Sequence, residues 1–527
     1  MVADDAQSGE DGRHGSQHGR PTNPSLPGAP RRAIRPLLLL IALVTLAWSL
    51  YQLPVSRVVE SRLCHDYYAA HDPSVLPPAG NVPEELCKLD EVQQQLGRIQ
   101  GVMDAMWVAG DFVMTIPLVS LADHYGYRFV LCLNLVPRIF LLGWTFMVGY
   151  FDQALPVNAI LAAPALSFLG GDCVFNSVVY SLIADLTDDH ILRATFFGYA
   201  NAISSIFSLQ LGPALASAIM TTLLWLPLWL GLFSLLLAIP VISMRPPAIG
   251  HQAHQEAACQ DPTDTVNTPL LSSSARLIRR TNLHSLTASR FHTILAILTK
   301  PSRNFLLLLA CFFLASFASS DTKLLPLYIS KRYHWKFSSV GYLLSLKALF
   351  NFFLLSFLIP RVVRWRRRRR SSPHPEAQAQ AQAQDNNSIP ETAADKETIT
   401  HAHVCLVFSV LGALAIALAP TAWALVPSLL LYALGIALPM FTYSLLRSPS
   451  MALQHQQARD RGSGPGTQLF SVVMLVRTAG TLLGAVAMPS LWVAGLSVGG
   501  VALGLPYGVS AVCYAVAGVV VKKIRVG

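Results

Sequence analysis

The chain has 527 residues, of which 53% are hydrophobic and only 13% charged, against roughly 25% charged in a soluble domain. That composition excludes an ordinary water-soluble protein and identifies an integral membrane protein. The formal charge of +10, from 39 Lys+Arg and 29 Asp+Glu, sits mostly between apolar runs, where membrane orientation accounts for it, so no nucleic-acid partner is expected. The eight cysteines form no CxxC pair and no interleaved His spacing, so no metal or cofactor is expected either.

Residues 1–35 are rich in Gly, Ser, His, Asp and Pro and read as a disordered cytoplasmic tail. Arg31, Arg32 and Arg35 then precede an apolar run from Leu37 to Leu53. The long tail before it and the lack of a small-residue cleavage site after it favour an uncleaved first span over a signal peptide. An N-terminal six-helix bundle is predicted over 36–245, with a polar extracellular loop at about 54–100. This loop carries Cys64 and Cys87. Disulfides persist outside the cell, so a Cys64–Cys87 bridge is predicted, with two free thiols as the alternative.

Spans 2 to 6 are predicted at about 101–121, 129–150, 157–183, 195–220 and 222–244. A cytoplasmic linker follows at 246–303, rich in Ser, Thr, His and Gln. A C-terminal bundle over 304–521 then supplies six more spans, at about 304–329, 339–360, 403–418, 422–445, 468–492 and 497–521. Between spans 8 and 9, at 361–402, lies a basic disordered cytoplasmic loop with the run Arg366 to Arg370 and an Ala-Gln repeat. The run reads as an anchor against anionic lipid headgroups. Residues 522–527 form a short cytoplasmic tail.

Basic residues crowd the inner segments, which fixes the orientation. Two outer segments dissent: Arg57, Arg62, Lys88 and Arg98 in the first loop, and Lys331, Arg332 and Lys336 after span 7. Twelve spans in two sets of six, joined by a long linker, imply a duplicated carrier with its substrate site between the halves.

A charge at the bilayer centre costs about 2.5–3.5 kcal/mol on insertion scales, so ionisable residues inside spans are functional candidates. Asp104 and Asp111 in span 2 are seven apart and share a face, taken to line an aqueous cavity. Asp172 and Asn176 in span 4 are four apart beside Gly170-Gly171, where backbones approach closely. Basic residues stand in other spans at Arg138, Lys347 and Arg477, with Asn351 one turn beyond Lys347. A carboxylate freed from such a partner takes a proton, which is the requirement for proton coupling; static pairs between spans are the alternative. Asp104, near the outer boundary, is alternatively solvated. Asp321 and Lys323, followed by Pro326, read either as a gate or as a water-exposed bend. Gly212-Pro213 in span 5 removes a backbone donor and predicts a kink.

The stretch Leu121-Ala122-Asp123-His124-Tyr125-Gly126-Tyr127-Arg128, a tight cytoplasmic loop between spans 2 and 3, resembles the signature Gly-x-Leu-Ala-Asp-Arg-x-Gly-Arg-Arg of the major facilitator superfamily. Val119, His124 and Tyr127 depart from it. Gly212-Pro213 resembles the helix-5 motif of that superfamily's proton antiporters. Gly170-Gly171 through Ile183-Ala184-Asp185, Arg193-Ala194-Thr195-Phe196-Phe197 and Tyr328 through Trp335 are similar to filamentous-fungal carriers associated with secondary metabolism.

The resemblance implies an all-α membrane protein with 12 transmembrane helices in two pseudo-symmetric six-helix bundles, and Asp123, Gly126 and Arg128 as a cytoplasmic gating motif. It implies proton-coupled efflux of a small organic molecule by a lipid-embedded monomer in the plasma or vacuolar membrane. Nutrient uptake or facilitated diffusion is the alternative within the fold, and a non-transporting sensor or scaffold the alternative outside it. No nucleophile-base or metal constellation points to an enzyme.

Overall fold

The computed structural model describes residues 29–75, 82–151, 154–185, 190–244, 303–354, 357, 361, 389–446 and 465–524. The linker at 246–302, the arginine run, the Ala-Gln repeat and residues 1–28 lie outside them.

The N-terminal half contains α1 (Ala29–His71), α2 (Asp90–Tyr125) and α3 (Tyr127–Tyr150), then a 3₁₀ segment (Val157–Leu169) leading into α4 (Asp172–Asp185). Next come α5 (His190–Ser205), a π turn (Ile206–Leu211) with α6 (Gly212–Met220), and α7 (Leu226–Ser243). The C-terminal half contains α8 (Arg303–Ser319), a 3₁₀ turn (Ser320–Lys323) with α9 (Leu325–Tyr333), and α10 (Phe337–Phe353). It continues with α11 (Ile389–Leu418), α12 (Ala422–Ala433) joined by a 3₁₀ turn to α13 (Leu438–Leu446), α14 (Pro465–Val498) and α15 (Leu505–Lys522).

Among the described residues ten helical stretches are long and apolar enough to cross a bilayer. Two shorter apolar helices, Phe337–Phe353 and Ala422–Ala433, fall where spans 8 and 10 are predicted. The α7 surface shows what surrounds them. Leu228, Gly231, Ser234 and Leu235 face the protein, while Trp229, Phe233, Leu236 and Leu237 are exposed. An apolar face that covers no protein core is suited to lipid.

Four boundaries differ from the sequence reading. Residues 54–71 and 90–100 are helical rather than loop: α1 runs through Pro54 to His71 and α2 begins at Asp90. The extension past Pro54 is amphipathic, burying Val55, Val58, Val59 and Leu63. Its charged residues find partners: Arg62 donates to the carbonyls of Val148 (2.8 Å) and Leu155 (2.9 Å). Helix α1 starts at Ala29, inside the predicted tail, and α11 starts at Ile389, inside the predicted 361–402 loop.

Cys64 near the end of α1 is bonded to Cys87 in the connection to α2. The halves meet through α2 against α14 and α6 against α10. The tightest of these approaches, Gly97 on Trp492, Gly101 on Pro489 and Gly341 on Ser217, lie in the N-terminal parts of α2 and α10.

Candidate functional site

Span 4 is not one helix. After the 3₁₀ segment, Gly170 takes φ 151° and α4 restarts at Asp172. A helix start leaves backbone N–H groups without helical partners and carries a positive dipole end. Asp111 of α2, only 6% exposed, meets both needs. Its carboxylate accepts from the N–H of Cys173 at 2.8 Å and of Val174 at 3.4 Å. Gly171 permits this, because a Cβ there would collide with the Asp111 carboxylate.

The same restart is held from α3. The Asn134 amide donates to the Gly171 carbonyl at 2.9 Å, and the Arg138 Nε donates to Asn134 Oδ1 at 3.1 Å. Arg138 Nη2 pairs with Asp172 Oδ1 at 2.7 Å. The guanidinium is 2% exposed and lies within 5.9 Å of the ring centroids of Trp48, Trp107 and Phe175. The Asp172 side chain, by contrast, is 49% exposed. The result is a buried cation whose countercharge is within reach of solvent or a ligand. Asp111, expected from its face to line an aqueous cavity, is instead buried. It closes the helix break, while Asn176 is exposed.

The C-terminal half has its own polar cluster. Asp321, in the 3₁₀ turn after α8, is fully buried rather than at a water-exposed bend. The Tyr432 hydroxyl lies 3.1 and 3.2 Å from its two carboxylate oxygens and 3.1 Å from the Tyr514 hydroxyl. Tyr507 donates to the Asp321 carbonyl at 3.4 Å. Lys347 of α10 lies 5.6 Å from the Tyr432 ring centroid. Asn351 on the same helix is buried, with an Oδ1 that has no hydrogen-bond partner among the described residues. On α14, Arg477 donates to the Tyr443 hydroxyl and, at 3.4 Å, to Ser316 Oγ. Among the described residues neither Lys347 nor Arg477 is in an ion pair.

The structure therefore brings Asp111, Arg138 and Asp172 together and keeps Lys347 and Arg477 in the other half. Asp104 stands apart from Asp111, paired with Lys323 across the halves at 3.3 Å. Sequence reasoning missed the tyrosines around Asp321 and the role of Asn134. The one signal for Tyr432 was position. Spans 4 and 10 occupy equivalent places in the two sets of six, and both are interrupted, span 10 by the 3₁₀ turn Leu434–Ala437. Interruptions at corresponding places in two repeats mark carrier binding sites.

Two motif regions complete the site. Gly126 makes a one-residue link between α2 and α3 at φ 91°, its N–H bonded to the Ala122 carbonyl at 3.0 Å. Arg128 is exposed, and the side chains of Asp123 and His124 lie outside the described residues. In span 5 the π turn directs the Gly212 N–H to the Phe207 carbonyl, and Pro213 has no N–H to offer. The Ser208 carbonyl thus loses both helical donors, and Ser49 Oγ of α1 takes their place at 2.9 Å. The kink at Gly212-Pro213 is a docking point for span 1.

A family model described as Major Facilitator Superfamily matches residues 89–373, more than half of the chain. The chain is similar to the MFS efflux pump atnC of Emericella nidulans, 26% identical over 476 residues, covering 89% of this chain and 83% of that one. It is also similar to the efflux pump ustT of Aspergillus flavus, 26% identical over 317 residues and 58% of each chain. Among solved structures, that of the human organic anion transporter MFSD10 shares the fold, with a TM-score of 0.51 at 15% identity, covering 93% of this chain and 99% of that one.

Proposed function

The chain belongs to the major facilitator superfamily, and from that premise we propose that it is a proton-coupled exporter of a small organic molecule. It is a multi-pass membrane transporter; the direction, the cargo class and the coupling are our reading. Export is supported by the efflux-pump names of its fungal relatives.

One observation carries the coupling: Asp172, half exposed, is the ionic partner of the buried Arg138 at the break in span 4. When Asp172 is ionised, the pair is neutral and the α4 restart is held to α3. When it takes a proton from the aqueous side, Arg138 loses its countercharge in a low-dielectric setting, and the restart is free to shift. Asp111 serves as the fixed cap about which that shift occurs. Among the described residues Arg477 has no carboxylate partner, and Lys347 has no direct ion pair and only the charge of the buried Asp321 nearby; both are the groups we assign to an acidic or polar part of the cargo, with Asn351 Oδ1 as an additional acceptor. Lipid and protons are the other partners, in the plasma membrane or, as a second location, the vacuolar membrane.

The cargo is identified by deleting the gene and comparing metabolites inside and outside the cell. With that compound, membrane vesicles carrying Asp172→Asn should lose proton-driven transport and keep cargo exchange. Unchanged coupling in Asp172→Asn would overturn the assignment.

A further inference from the structure

We infer that the disulfide-anchored segment from Glu84 to Asp90 is the outer gate latch of this carrier, with Glu84 and Lys331 as its positioning residues. This goes beyond the transport reading above and rests on neither the cargo nor the coupling ion.

The starting point is the basic residues that break the orientation rule in the outer segments. Three of them, Lys88, Lys331 and Lys336, lie at a junction between the halves. Lys331, in the last turn of α9, donates to the Lys88 carbonyl at 2.5 Å and pairs with Asp90 at 2.7 Å. Lys336 pairs with Glu85 at 3.6 Å. Glu84 accepts the backbone N–H of Phe337 at 2.7 Å, the first residue of α10. A carboxylate from one half thus satisfies an orphan donor, and faces the dipole, of a helix belonging to the other. Lys88 Nζ lies 4.3 Å from the Phe337 ring centroid. Across this junction the N-terminal half supplies carboxylates and the C-terminal half lysines.

The segment is fixed to its own half with equal care. Cys87 is bonded to Cys64. Lys88 pairs with Glu60 at 2.7 Å and Glu84 at 3.3 Å, Arg57 reaches Glu60 at 3.0 Å and Glu84 at 3.4 Å, and Gln93 donates to Glu60 at 2.6 Å. A segment rigid on one side and held by charge and one helix cap on the other is a latch: it moves with the N-terminal half and lets go of α9 and α10. Opening the outer side requires that release.

The test uses the full-length protein in lipid nanodiscs, with its unpaired cysteines replaced by alanine and spin labels on L223C and V501C. Both sites are exposed, at outer turns of opposite halves. The pair S74C and L223C, within one half, is the control. Glu84→Ala and Lys331→Met should each raise the share of the longer inter-half distance about tenfold, as loss of one or two charge-assisted contacts permits. The charge swap D90K/K331D should return most of it, and C64A/C87A should act in the same direction as Glu84→Ala. An unchanged inter-half distribution in Glu84→Ala and Lys331→Met would overturn the latch. So would a broadened control distance, which would assign these residues to folding of one half.

Discussion

Glu60 illustrates what a residue in this chain owes to a distant partner. Its carboxylate is fully buried at the outer end of α1 and is neutralised by Lys88, whose side chain is 1% exposed. Neither residue tolerates solitude, because an uncompensated buried charge costs more than a well-made pair contributes. Glu60→Ala should therefore destabilise the protein by about 3–5 kcal/mol, while the apolar double variant E60L/K88M should recover most of that loss. Thermal unfolding in detergent micelles measures both, and equal losses would refute the pairing argument. The pair was invisible in the sequence, where both residues fell in a stretch that mean hydropathy classed as loop. Hydropathy averages over all faces of a helix, so a stretch with one apolar face beyond the membrane reads as polar. Asp321 was hidden for a related reason: its burial depends on Tyr432 and Tyr514, which are 111 and 193 positions away in the chain.

At the scale of elements, what was legible and what was not separates along the same line. The apolar runs predicted where the spans lie, and Gly212-Pro213 marked where a helix is disturbed, because proline acts on its own backbone; Gly170-Gly171 was legible only as a place of close backbone approach, and the break in span 4 was not. The outcome of each disturbance required a second element. In span 5 it is Ser49 of α1, which supplies the donor that the π turn and Pro213 withhold from the Ser208 carbonyl. Ser49→Ala leaves that carbonyl unsatisfied and should cost about 1–3 kcal/mol. In S49A/P213A the new backbone N–H becomes available, and part of the loss should return. No recovery in the unfolding temperature would mean that Ser49 acts by packing against Gly212 alone. The α2–α3 link makes a cleaner case. A Cβ at position 126 would meet nothing within 4 Å, so Gly126→Ala tests the φ of 91° without a clash. It should lower the unfolding stability by about 1–3 kcal/mol, the penalty an L side chain meets at φ 91°, ψ 153°, a backbone conformation essentially reserved for glycine.

For the whole molecule, the question is which side each end of the bundle faces. We propose, from the even number of spans before the linker and the basic segments on that side, that the N terminus and the linker are cytoplasmic. The structure adds a reason to trust this despite the dissenting residues. Six of the seven, Arg57, Arg62, Lys88, Lys331, Arg332 and Lys336, each have a carboxylate or carbonyl partner, so they carry structural duties and do not compete with the orientation signal; Arg98 has no such partner among the described residues. Orientation is read directly from thiol access. In intact cells, a membrane-impermeant maleimide should label Leu223→Cys, in the exposed turn between α6 and α7. It should label Met244→Cys, at the opposite end of α7, only after the membrane is permeabilised. The two positions are joined by a single helix, so labelling of Met244→Cys in intact cells with protection of Leu223→Cys would invert the molecule. The junction around Glu84 and Lys331 would then be a cytoplasmic gate, and the Cys64–Cys87 bridge would sit in a reducing compartment where such bonds do not persist.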